Sequence, residues 1–249
     1  MKCIVWTLLL TAGLVSASDP NFDAALKAAD VADYPTALDK FEAALTADPN
    51  NLRFGSDYRQ TVIKVGAYVR CIAFFEELVA ANPNLPNALM NFGYAHVDKI
   101  PIEGAITQVL LANTALTHFS AALEIEKTWL GHFTRGNSYL YWPAIFGRTP
   151  LAIADLEQAI ALVKDQKQRA HHVRPWIGLG DAHWRLEDMD KARQVWQEAL
   201  EKFPDNTDFK ARLDKEGDVL DAYFEEYFDP SKRVDTDLSI LWATEEKQG

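Results

Sequence analysis

The sequence predicts an all-α protein, an α-solenoid of about five helical hairpins closed by a C-terminal capping helix. Three observations predict it. Apolar residues recur three and four apart from Asp19 to about Pro204, as in Leu38, Phe41 and Leu45 or Phe75, Leu78 and Val79, the period of a helix with one buried stripe. No stretch shows the sustained alternation and Val/Ile/Thr enrichment of a strand. Large and very small residues alternate through Trp176, Leu179, Gly180, His183, Ala192, Trp196, Ala199 and Pro204, and weaker copies end at Pro83 and Pro49, 34 residues apart. A repeat of that length marks stacked helical hairpins.

The chain opens with Met1-Lys2, an almost unbroken apolar run over 4–15, and Val15-Ser16-Ala17. This is the pattern of a signal peptide over 1–17 that leaves Ser18 as the first mature residue. Its apolar run is shorter than the roughly 20 residues of a membrane-spanning helix. Cys3 precedes that run, so it is not placed for lipid attachment. The expected location is therefore outside the cytoplasm, periplasmic or secreted.

The solenoid is expected over 18–206. Its first unit, 18–51, has Ala37, Phe41, Ala44 and Pro49 in its second helix. The second, 52–85, has Cys71, Phe75, Leu78 and Pro83. The third, 86–128, carries Leu89, Phe92, Gly93 and His96, but Ala115, Phe119 and Ala122 follow ten residues late. The extra residues around 98–107 should lengthen the helices or their turn. The fourth, 129–172, holds Gly136 and Tyr139, then Ala152, Leu156 and Ala159. Its connection, 141–148, is too long and apolar for a simple turn, and Thr149-Pro150 reads as a cap and first helical residue. The fifth unit is 173–206. Proline with Asn or Asp separates units at 48–51, 82–84 and 204–206.

Residues 207–249 form the cap and tail. Phe209, Leu213, Leu220, Phe224 and Phe228 fall near one helical face, and Asp229-Pro230 stops that helix. The apolar cluster Leu238, Ile240, Leu241 and Trp242 is expected to pack back on the solenoid. The alternatives are a strand or helix offered to a partner, or an internal peptide lying in the groove.

Trp176-x-x-Leu179-Gly180-x-x-His183, followed by Ala192, Trp196, Ala199 and Pro204, resembles the tetratricopeptide repeat family, with His183 in the usual tyrosine slot. The resemblance covers 18–206, about three quarters of the chain, most fully in the fifth unit. It implies a right-handed superhelix. Gly93, Gly136 and Gly180, with Ala44, Ala122, Ala159 and Ala199, would let paired helices nearly touch, and Phe41, Phe75, Phe119 and Trp196 would fill the angles between pairs. It also implies that first helices line a concave groove holding an extended peptide or partner helix. The groove-facing candidates are then Asn87, Met90, Asn91, Tyr94, Phe133, Asn137, Tyr141, Arg174, Ile177, Asp181, Trp184 and Arg185. Asn amides can donate to and accept from an extended backbone, and Tyr, Trp and Arg dominate binding hot spots. The Lys and Asn pair that clamps a C-terminal carboxylate in some relatives is not evident.

Other function classes fare poorly. With 25 Lys and Arg against 36 Asp and Glu, the net charge of −11 disfavours nucleic-acid binding. After leader removal Cys71 is the sole cysteine, placed as a buried small hydrophobe. His171-His172 reads as a solvated loop pair without metal-ligand spacing, and His96 and His183 as packed, hydrogen-bonded imidazoles. Glu225-Glu226 and Asp188/Asp190 are surface acids, and no phosphate loop or nucleophile elbow appears. The expectation is a non-enzymatic protein–protein interaction adaptor of a bacterial cell envelope, with no cofactor and no metal, binding a protein or peptide partner in its groove. Two alternatives stand. One is a small-molecule-binding partner of an envelope transport system, with 142–146 and Trp129 closing an apolar pocket. The other is an assembly module that dimerises through 238–242.

Overall fold

A computed structural model describes residues 19–229 and 231–243, so the expected signal peptide and Pro230 lie outside the described residues. Among these residues the regular structure is helical throughout. It comprises α1 (Pro20–Asp30), α2 (Tyr34–Ala47), α3 (Leu52–Val65), α4 (Tyr68–Ala81), α5 (Pro86–Lys99), α6 (Ala105–Ile125), α7 (Trp129–Leu140), α8 (Thr149–Val163), α9 (Arg174–Arg185), α10 (Met189–Lys202), α11 (Thr207–Leu213) and α12 (Gly217–Tyr227). Asp19, Asn51, Thr128, Asp188 and Asn206 start helices by accepting N–H bonds from the first turn. Each helix packs on its neighbour in sequence from α1 through α11. The hairpins thereby stack into a solenoid.

Three apolar clusters run along the stack. One joins α1–α4 to Phe92 and Ala95 of α5, a second joins α7–α10 to the cap, and between them a third gathers Leu89, Met90, Tyr94, Phe119 and Leu130 around Leu238 of the tail. Gly93 and Gly180 make room for rings, whereas Gly136 lets α7 lie against α8, where a Cβ would stand 3.0 Å from Leu156 Cγ and 3.2 Å from the Ala152 carbonyl. A Cβ on Gly180 would lie 2.1 Å from Trp196 Nε1, and one on Gly93 would lie 2.4 Å from Phe119 Cε1. Trp196 and Phe119 are 0% exposed, and each ring is locked across its own hairpin by the missing side chain. Burial of side chains this size contributes roughly 1.5–3 kcal/mol each.

The extra residues of the third unit form a 3₁₀ turn, Ile100–Ile102, and lengthen α6 to 21 residues. The 141–148 connection contains a second 3₁₀ turn, Ala144–Phe146, ended by Gly147 at φ 61°. Four expectations need correction. The cap is two helices, because the chain breaks before Gly217 at φ 50° and Arg193 donates to the Leu213 and Lys215 carbonyls at 3.2 and 2.7 Å. Thr149 is helical, with Arg148 at the N-cap position and no side-chain cap. His171 and His172 are buried, because their 3₁₀ turn docks on Trp129, whose ring stacks on His171 at 5.1 Å. His96 packs on Phe92 and His118, but neither of its ring nitrogens has a hydrogen-bond partner among the described residues.

Candidate functional site

First helices line the inner face, with α3 against α5 and α7 against α9. Between α5 and α7 the side chains Tyr94, Leu130 and Phe133 gather around Leu238 instead. The segment after α12 returns along this face and is fixed at successive residues. Arg233 donates to the Asp98 carbonyl at 2.9 Å and to the Tyr68 hydroxyl at 2.8 Å. Asp235 pairs with Arg174 at 3.2 Å. The Thr236 hydroxyl donates to Asp98 Oδ1, and the Thr236 carbonyl accepts from Arg59 Nη2 at 3.3 Å. The Leu238 N–H points to Ser56 Oγ at 3.4 Å, and Leu241 and Trp242 pack beside the Leu238 cluster.

The floor of this site is a buried ion pair. Arg59 Nη1 donates to Asp98 Oδ2 at 2.9 Å, with side-chain exposures of 0% and 2%. Arg59 Nε donates to Asn91 Oδ1 at 3.3 Å, and its guanidinium lies 4.6 Å from the Tyr94 ring centroid. Burial pushes the Asp98 carboxyl above its ordinary range, while Arg59 and the Thr236 hydroxyl draw it back down. A buried pair is tolerated only when its remaining donors and acceptors are met. Here the tail meets two of them, one with a hydroxyl and one with a backbone carbonyl.

The twelve expected groove residues fall into three groups. Met90, Tyr94 and Phe133 touch the cluster that receives Leu238, Asn91 bonds Arg59, and Arg174 holds Asp235. The cap covers a second group. Asp181 makes two 2.7 Å bonds to Arg212 of α11, Trp184 stacks on Phe224 of α12 at 4.0 Å, and Arg185 and Tyr141 pack on Phe228. Ile177 packs within that same cluster. Asn87 is tied to Asn50 by two bonds, and Asn137 lines a side cavity. Open groove surface was expected at Asn91 and Asp181. Both are buried, each bonded to an arginine, and Met90 and Tyr94 are likewise buried, in the cluster around Leu238.

That cavity, about 270 Å³, lies where both lengthened segments meet the tail. Val97, Pro101, Val109 and Trp142 give it apolar walls, Asn137 and Tyr141 add polar atoms, and Lys232 and Val234 of the tail complete the lining. Trp129, expected to help close such a pocket, lies against His171 and Phe133 instead. Among the described residues no group of three or more His, Cys, Asp or Glu is arranged to hold a metal ion, and no helix is long and apolar enough to cross a membrane.

Residues 173–213 match the family model described as tetratricopeptide repeat. The whole architecture is similar to solved repeat proteins. A thermophilic TPR protein of Thermus thermophilus is 22% identical, with a TM-score of 0.55 over 78% of this chain and 95% of that one. A tetratricopeptide repeat protein from Parabacteroides merdae is 14% identical, with a TM-score of 0.55 over 92% of this chain and 87% of that one. YrrB, described as a TPR protein with an unusual peptide-binding site, is 15% identical, with a TM-score of 0.50 over 77% of this chain and 89% of that one. The fold is a tetratricopeptide-repeat solenoid. No curated protein matches the sequence. The tetratricopeptide match runs through α9, α10 and α11 to Leu213, so it includes the Arg212 that pairs with Asp181.

Arg59, Asp98, Ser56 and Thr236 were not among the expected site residues. Arg59 did carry a signal. It stands 34 residues before Gly93, in the slot that the first hairpin fills with Ala25 and the third, fourth and fifth with Gly93, Gly136 and Gly180. A large cation in a small-residue slot requires a buried acidic partner, and α5 supplies Asp98.

Proposed function

We propose that this protein is a non-enzymatic adaptor of the bacterial cell envelope that binds an extended partner segment along its concave face. One observation carries the reading. A tail of this chain already lies on that face, held by side-chain bonds from α3, α5 and α9 and by a leucine pocket. A surface with backbone-directed donors and one apolar socket suits an extended peptide. The apolar leader over 4–15 and the small residues before Ser18 support export. Cross-linking of the mature protein in its native envelope tests the proposal. Recovery of a protein joined to the concave face would support it, and cross-links confined to the convex face would refute it.

A second reading has its own observation. The cavity between α5, α6, α7 and the tail is mostly apolar with a few polar atoms, which suits a small apolar molecule. A thermal shift with protein-free extracts, abolished by Ala112→Phe, would favour it. No shift would remove it.

A further inference from the structure

We infer that the partner segment has the pattern of the chain's own tail, basic-x-x-hydroxyl-x-leucine, written here as Arg233-x-x-Thr236-x-Leu238. This rests on the proposed peptide-binding role and specifies its ligand. Each element meets a named group of the solenoid. Asp98 Oδ1 receives a hydroxyl donor and Arg59 Nη2 a backbone carbonyl, and both come from one residue, Thr236. Two residues on, where Leu238 opens the 3₁₀ turn Ser239–Leu241, the tail turns a second side chain into the solenoid. That side chain is Leu238, 2% exposed among Met90, Tyr94 and Leu130. Three residues before Thr236, Arg233 reaches the Asp98 carbonyl and the Tyr68 hydroxyl at the α5 end of the site. A leucine without the hydroxyl would leave Asp98 Oδ1 without its donor, with only Oδ2 held by Arg59. A hydroxyl without the leucine would leave the apolar socket open.

The tail is therefore a self-ligand, and it competes with any partner. Attached directly after α12, it acts at an effective concentration on the order of millimolar. If the tail itself has an intrinsic Kd of roughly 10 µM, the closed state outweighs the open one about 100-fold, and a partner peptide binds the intact chain about 100-fold more weakly than a chain whose tail is released. Specificity follows as well, since only a segment matching the tail at both anchors displaces it.

The test uses the full mature chain, its Leu238→Asp variant and a labelled synthetic peptide spanning residues 232–242. Helicity by circular dichroism confirms that the variant is folded. Arg233→Glu, at an exposed tail position, provides a second release variant that leaves the apolar socket intact. We expect the peptide to bind both release variants at least 10-fold more tightly than wild type. We also expect Thr236→Val or Leu238→Asp within the peptide to lose at least 10-fold. Equal affinity for wild type and release variants, or equal binding of a scrambled peptide, would overturn the inference. A random-peptide panel separates the two levels. Release variants that bind peptides without this pattern leave the groove reading intact and refute the pattern. Release variants that bind no peptide refute both.

Discussion

Replacing Gly180 with alanine tests the packing rule of the solenoid with a single methyl group. The added Cβ would stand 2.1 Å from Trp196 Nε1 and 2.3 Å from its Cδ1, separations at which something must shift. Trp196 is 0% exposed and lies against Phe224 of the cap, so its ring cannot swing into solvent. Overpacking of this kind costs about 1–3 kcal/mol. Intrinsic helix propensity would favour alanine by about 1 kcal/mol, so the net loss expected is about 0–2 kcal/mol from those terms alone. The clash should set the upper end, because the ring is hemmed in on both faces by the two hairpin helices and the cap. The assay is urea unfolding followed by far-ultraviolet circular dichroism. Gly104→Ala is the control, since a Cβ there meets nothing within 4 Å and φ is −74°. Gly180→Ala should lower the unfolding midpoint while Gly104→Ala, at the N-cap of α6, leaves it about unchanged, since the lost N-cap preference for glycine offsets the lower unfolded-state entropy. A Gly180→Ala midpoint equal to or above that of Gly104→Ala would refute the reasoning.

Three further outcomes are expected. Asp98→Ala leaves Arg59 buried without its counter-ion, so stability should fall by about 3–5 kcal/mol, read as an unfolding midpoint, with Asp98→Asn losing less. His96 is depressed from 6.5 to about 4 by burial and by the neighbouring His118 and Lys99. The unfolded chain therefore binds more protons between those values, and the stability involved is complete above about pH 6.5 and lost as pH falls toward 4. His96→Phe should flatten the urea-midpoint profile across that window, and an unchanged slope would contradict the assignment. Ala199→Leu, at a 0% exposed position in α10, should cost about 1–3 kcal/mol, and an unaltered melting temperature would count against the hairpin alignment.

The sequence exposed the repeat because its signal is local. Gly180, Trp196 and Ala199 recur at a helical period, and helix propensity, proline stops and Asn or Asp caps agree with it. The groove was legible as a list of first-helix positions and no further. Whether such a position is open depends on chain that lies far away in sequence: Thr236 meets Asp98 across 138 residues and Arg59 across 177. Nothing in local periodicity encodes a tail contact of that separation. Asp181 illustrates the same limit, since its burial follows from Arg212 in a helix that periodicity had merged with the next. The split of the cap was hidden because Gly217 interrupts an apolar stripe that otherwise continues in phase. Arg59 is the instructive exception, a residue whose misfit with the repeat is visible in the sequence and was passed over.

Occupation of the concave face by residues 233–241 in the free chain is tested most directly by hydrogen exchange on the mature protein. Docked, the amides of Leu238 and Leu241 donate to Ser56 Oγ and to the Leu238 carbonyl, and they should exchange at least about 10-fold more slowly than in the isolated tail peptide. Leu238→Asp should abolish that protection while leaving α3 and α5 protected. Exchange of the wild-type tail at the rate of the free peptide would contradict the account.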